Sequence, residues 1–141
     1  NIKWNKKSEN TIMRYLETSP YVIDGVILVS GCVSDLGSEI ERFSGYYPQQ
    51  MDGSFRDWNW DQMKKHSRWI MHLGSEDDQF IPIEEMRVIR DKLGLDQEHY
   101  IEFKKEQGYG HFMRKQFPEL LEIVKKKLME HEKTKGMDSK I

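Results

Sequence analysis

The chain has 141 residues, of which 37% are hydrophobic and 33% charged, and its formal net charge is −2. That length holds one domain with a real core, and the near-neutral balance excludes a nucleic-acid surface, which needs a concentrated basic face. No apolar run approaches the roughly 20 residues that cross a bilayer, and the start has no signal-peptide core, so the expected protein is intracellular and cytoplasmic, away from membranes.

In chain order, Ile12, Met13, Tyr15 and Leu16 recur at helical spacing, and Ser19-Pro20 ends that helix because the residue before proline is pushed out of the α region. Residues 22–29 read Val-Ile-Asp-Gly-Val-Ile-Leu-Val, and their second half is the β-branched run of a strand buried on both faces. Gly31 and Cys32 close it. Residues 34–43 predict a helical turn, and 45–56 a loop by their Gly, Pro and polar content. Asp57 is placed to cap a helix reaching about His66, and a second strand follows over 69–73.

Gly74 then breaks the apolar run into Ser-Glu-Asp-Asp, and Pro82 opens a helix with Ile83, Met86, Ile89 and Leu93 on one stripe and Gly94 as its C-terminal cap. A third strand spans 99–103 and leads into a loop carrying Gly110-His111-Phe112. Pro118 opens the last helix, with Leu120, Leu121, Val124 and Leu128 as its apolar face and Lys125, Lys126 and Lys127 mostly toward solvent. Residues 131–141 are charged and aperiodic, which predicts a disordered tail after a domain over 1–130. No internal repeat or low-complexity tract occurs.

Helices alternating with strands imply right-handed crossovers and a parallel sheet covered on both faces. Three strands are few for that architecture, so the sequence reads as half of a sheet with an unpaired edge open to a protein partner. A carboxylate and an imidazole leave successive strands on the side where open parallel sheets hold ligands. Asp before His is also the later part of the Ser…Asp…His chain order of α/β-hydrolases.

Each residue has a plainer reading. Asp78 alone could be a turn residue and His111 a loop histidine. Cys32, the only cysteine, excludes an internal disulfide and fits a reducing compartment; it lacks a strained elbow and reads as a packing residue rather than a nucleophile. Trp58, Trp60, Trp69, Tyr46 and Tyr47 could line a substrate pocket, with core packing the safer alternative. His66, His72, His99 and His131 have no local chelating spacing, so neither metal nor cofactor is expected.

Met13-Arg14-Tyr15-Leu16-Glu17-Thr18, Ile27-Leu28-Val29-Ser30, Ser34-Asp35-Leu36-Gly37, Glu41-Arg42 with Ser44-Gly45-Tyr46, Trp58-Asn59-Trp60, Gly74-Ser75 with Asp77-Asp78, and Gly110-His111-Phe112 follow one another in this order. Together, from about Thr11 to Leu128, they resemble the retinoblastoma-binding protein nine and YdeN-like serine hydrolases of the α/β-hydrolase superfamily. The resemblance implies a three-layer α/β fold, here its C-terminal half with about three parallel strands. It implies Asp78 as triad acid, at the second Asp of Gly-Ser-x-Asp-Asp, with His111 as general base and Asp77 as a neighbour. An ungapped match puts Lys6 where the family has its nucleophile, and the family's glycine-rich N-terminal loop is absent. The loop over 49–56 is longer than the family's, which would alter a lid over the site. No Leu-x-Cys-x-Glu sequence supports pocket-protein binding.

The expectation is therefore a serine hydrolase acting on a small ester or amide, represented by a chain that is inactive alone because base and acid lack their serine. The chain begins at Asn1 rather than Met, so the serine is expected upstream or lost. Two alternatives stay open: a non-catalytic interaction module that keeps the half-fold, and an unrelated three-strand binding domain.

Overall fold

Three parallel strands, β1 (Val26–Val29), β2 (Ile70–Ser75) and β3 (Tyr100–Phe103), stand in the order β1-β2-β3. The computed structural model describes residues 8–138. The helices are α1 (Ser8–Thr18), the single turn α2 (Glu39–Arg42), α3 (Trp60–Lys65), α4 (Ile83–Leu93) and α5 (Pro118–Asp138). Among the described residues no helix is long and apolar enough to cross a membrane.

The two-residue period of the strands builds the layers. Val26, Leu28 and Ile70 face Met13 and Leu16 of α1, Trp60 and Met63 of α3, and Ile89 and Leu93 of α4. The alternate positions Val29, Met71 and Leu73 face the other way, against Phe117 just before α5 and Leu120 and Ile123 within it. All six residues of β2 are buried, because that strand has a neighbour on each side and a helix layer on each face. Helix α4 ends on Gly94 at φ 68, the left-handed cap that its sequence predicts.

Several boundaries differ from the sequence reading. The ladder of β1 begins at Val26 rather than Val22, with Ile23 making only an isolated bridge to Ser67 while Tyr21 and Val22 are exposed. β2 runs through Gly74 to Ser75, which pair with Glu102 and Phe103 of β3, and a Cβ at Gly74 would lie 2.7 Å from Met86 Sδ of α4. The cap of α3 is Asn59, whose side chain accepts from the Gln62 amide, whereas Asp57 binds the Trp58 amide and the Trp60 indole.

Helix α5 turns a different stripe inward. Leu120 and Ile123 pack on the sheet and Lys127 lies under its own helix with its ammonium over Trp69, while Leu121 and Leu128 are exposed. The helix also continues to Asp138 through residues whose composition predicts disorder. Lys126 and Lys127 both reach Glu130, helix-spaced pairs that favour this continuation.

Tyr47, Trp58 and Trp60 are core residues, and the Trp58 indole donates to Val33 O at 2.9 Å. The loop over 49–56 forms a small antiparallel bridge between Gln49 and Phe55 and is pinned to α1. Its anchor is Glu17, which accepts from Arg56 at 2.8 and 3.1 Å and from the Asn59 amide at 2.6 Å. Burial alone would raise the Glu17 pKa, but these donors outweigh it and hold the carboxyl below its usual range.

Candidate active site

Because the strands are parallel, the loops after β1, β2 and β3 emerge at one end of the sheet. Asp78 follows β2, and His111 lies between β3 and α5. His111 Nδ1 stands 2.8 Å from Asp78 Oδ2. A carboxylate only accepts, so that nitrogen carries the hydrogen and the sp² lone pair is on Nε2.

Asp78 is saturated with donors. Its Oδ2 also accepts from Ser30 Oγ at 2.7 Å, and its Oδ1 takes the amides of Phe80 and Ile81, each at 2.9 Å. The side chain has no exposed surface, and that of His111 is 13% exposed, so this pair is shielded while the imidazole edge still meets solvent. Burial pushes the Asp78 pKa up, yet the bonds from His111, Ser30 and the two amides win and lower it. Phe80 stands edge-on to the imidazole, with ring centroids 5.1 Å apart, and limits its rotation.

Ser30 is the member that the sequence reading left without a role. It ends β1 at φ 55, a left-handed conformation uncommon for residues other than glycine, and its amide donates to Leu73 O at 2.9 Å. One hydrogen-bonded chain, Ser30 to Asp78 to His111, thereby crosses the ends of all three strands. The available signal was position: a hydroxyl ending an apolar strand must emerge on the same side as the other two loops.

The turn after Ser30 is fastened from below and from α4. The Gly31 amide donates to His72 Nε2 at 3.1 Å, and burial lowers the His72 pKa to about 3, which keeps that imidazole neutral. Glu85 accepts from the Val33 and Ser34 amides at 3.0 and 2.9 Å and from Ser34 Oγ at 3.0 Å. Burial first, then the Glu85 carboxylate, pushes the Cys32 thiol up to about 12, so it is not a thiolate nucleophile at neutral pH.

The remaining sequence candidates are dispersed. His66 Nδ1 bonds Leu16 O, and His99 pairs with Asp96. Among the described residues no group of three or more His, Cys, Asp or Glu is arranged to hold a metal ion. Lys6 lies outside the described residues, as does the side chain of His131.

No family model matches the chain. Rat (Rattus norvegicus) serine hydrolase RBBP9 is 39% identical over 116 residues, which cover 82% of this chain and 54% of that protein. The chain thus spans about half the length of its curated relative. The crystal structure of the ydeN gene product from B. subtilis superposes with a TM-score of 0.66 at 16% identity, covering 89% of this chain and 63% of the other. Three parallel strands with flanking helices match the α/β-hydrolase-like fold of that neighbour. By sequence the chain is related to serine hydrolase RBBP9, and by fold it is similar to the ydeN gene product.

Proposed function

We propose that this chain is the acid and base part of a serine hydrolase that cleaves a small ester or amide. The observation that carries the reading is the 2.8 Å bond between His111 Nδ1 and a buried Asp78 whose two oxygens take three further donors. In this reading His111 Nε2 takes the proton of a serine hydroxyl as that oxygen bonds to the carbonyl carbon. The resulting imidazolium is stabilised by Asp78, and His111 then returns the proton to the departing alcohol or amine. Water completes the cycle through the same base, leaving acid product and free serine.

The nucleophile in this reading comes from outside residues 1–141, and neither Ser30 nor Lys6 replaces it. Ser30 donates to Asp78, the acid, rather than to His111 Nε2. A lysine would need desolvation to become nucleophilic, and the polar sequence around Lys6 carries no sign of it. We therefore expect no His111-dependent ester turnover from the purified chain. Joining it to the part of rat RBBP9 that the match leaves out should create turnover that His111→Ala abolishes. His111-dependent turnover by the chain alone would refute the missing nucleophile, and a joined chain indifferent to His111→Ala would refute the base.

A second reading, a non-catalytic interaction module, has one observation in its favour. Among the described residues β1 pairs only with β2, and exposed apolar side chains flank its free side: Ile12 and Tyr15 on α1, Val124 on α5. It predicts a single stable species bound to another protein at that edge, to be sought by size-exclusion chromatography from the native source.

A further inference from the structure

Two consecutive carboxylates leave β2, and they hold two consecutive residues of the neighbouring loop. Asp78 holds the His111 ring. Asp77 Oδ1 accepts the Gly110 amide at 2.9 Å, and the hydroxyl of the fully buried Ser75 donates to the same oxygen and orients it. Both bonds keep the Asp77 carboxyl below its usual pKa.

His111 is flanked on each side by a left-handed residue, Gly110 and Phe112, both at φ 52. Glycine adopts that conformation freely, whereas an aromatic residue does so only when its surroundings impose it. Beyond His111, Phe112 is held by its amide bond to Tyr109 O at 3.0 Å and by packing against Phe103 and Phe117, with centroids 5.6 and 5.2 Å away. Before His111 the hold on the backbone is Asp77. A Cβ at position 110 would also stand 3.2 Å from Gln79 Oε1, so the loop lies close against the turn that carries both carboxylates.

We propose that Asp77 is a positioning residue: through the Gly110 amide it fixes the backbone that aims the His111 imidazole at Asp78. The proposal rests on the reading of Asp78 and His111 as acid and base, and it gives Asp77 no contact with the reacting atoms. What matters is an acceptor at the Oδ1 position, not negative charge.

The test is solution NMR of the full chain, following exchange with water of the His111 Nδ1–H and the Gly110 amide. Asp77→Asn keeps a carbonyl oxygen in place without charge, and Asp77→Glu keeps the charge but displaces the oxygens by one methylene. Loss of the acceptor should speed exchange of both protons by about ten-fold, the effect of roughly one net hydrogen bond. We expect that loss in Asp77→Ala and Asp77→Glu, with Asp77→Asn close to the parent chain. The reverse order, Asn perturbed and Glu normal, would make Asp77 an electrostatic neighbour and overturn the proposal. So would an unchanged His111 proton in both Asp77→Ala and Asp77→Glu. Asp77 is partly exposed, and if the alanine variant failed to fold, the Asn and Glu pair would still decide. Asp78→Asn separates the premise from the inference: an Nδ1–H signal indifferent to that change would sink the Asp78 and His111 pairing itself.

Discussion

The two edges of the sheet are built in opposite ways. β3 carries Glu102 in a fork with Arg87, at 2.8 and 3.0 Å, joined by the Tyr100 hydroxyl at 2.9 Å and by Lys104. β1 is Val-Ile-Leu-Val with no charge at all. Natural edge strands are protected from pairing by charged residues, while strands inside parallel sheets are uniformly apolar. β3 therefore has the chemistry of a true edge and β1 that of an interior strand, which agrees with a chain that spans about half of its curated relative.

The largest effect should come from β1 itself. Leu28 is 1% exposed and packed in the core between the sheet and the helices of the α1 side. Leu28→Ala should cost about 3 kcal/mol in urea unfolding, the transfer loss plus an unfilled cavity. A cost below about 1 kcal/mol would mean that β1 packs loosely in the isolated chain, and the contrast between its buried face and its bare edge would be lost.

The next test acts on β3. Arg87 first, against the opposing effect of burial, depresses the Glu102 pKa to about 2. A depressed carboxylate contributes stability that is fully present above its unfolded value and is lost as pH falls through the folded one. Glu102→Gln should therefore cost about 1 kcal/mol at neutral pH, a modest figure because Arg87 is partly exposed. That difference from the parent chain should shrink as pH falls from the ordinary value of 4.5 toward about 2. A pH-independent difference would assign the effect to packing rather than to the ion pair.

Local signals made the strands and most helix ends legible. The β-branched run of β1, the Gly94 cap and the loops that bring Asp78 and His111 to one end of the sheet all follow from patterns a few residues long. What sequence could not supply depends on how elements meet. The period of α5 admits more than one apolar stripe, and only docking on the sheet selects Leu120 and Ile123 over Leu121 and Leu128. Gly74 reads as a strand breaker until Met86 is seen packed against it. Ser30 gained a role only because β1 and β2 are adjacent, a contact across 48 positions of sequence.

The smallest change in stability belongs to the bare edge, and it sharpens the comparison most. Ile27 is partly buried at β1, opposite Met71 and against the α5-side cluster. Lysine there can lay its stem along the same apolar surface and carry its ammonium out to water, so Ile27→Lys should change unfolding stability by no more than about 1 kcal/mol. The charge would nevertheless stand where another strand must approach, and burying it unpaired opposes that pairing. In sedimentation equilibrium the apparent mass of the parent chain should rise with concentration, and that of Ile27→Lys should stay near the monomer value. Ile101→Lys on β3, whose edge is already charged, should leave the association as it is. If the lysine on β3 relieved association and the one on β1 did not, the assignment of the two edges would be reversed.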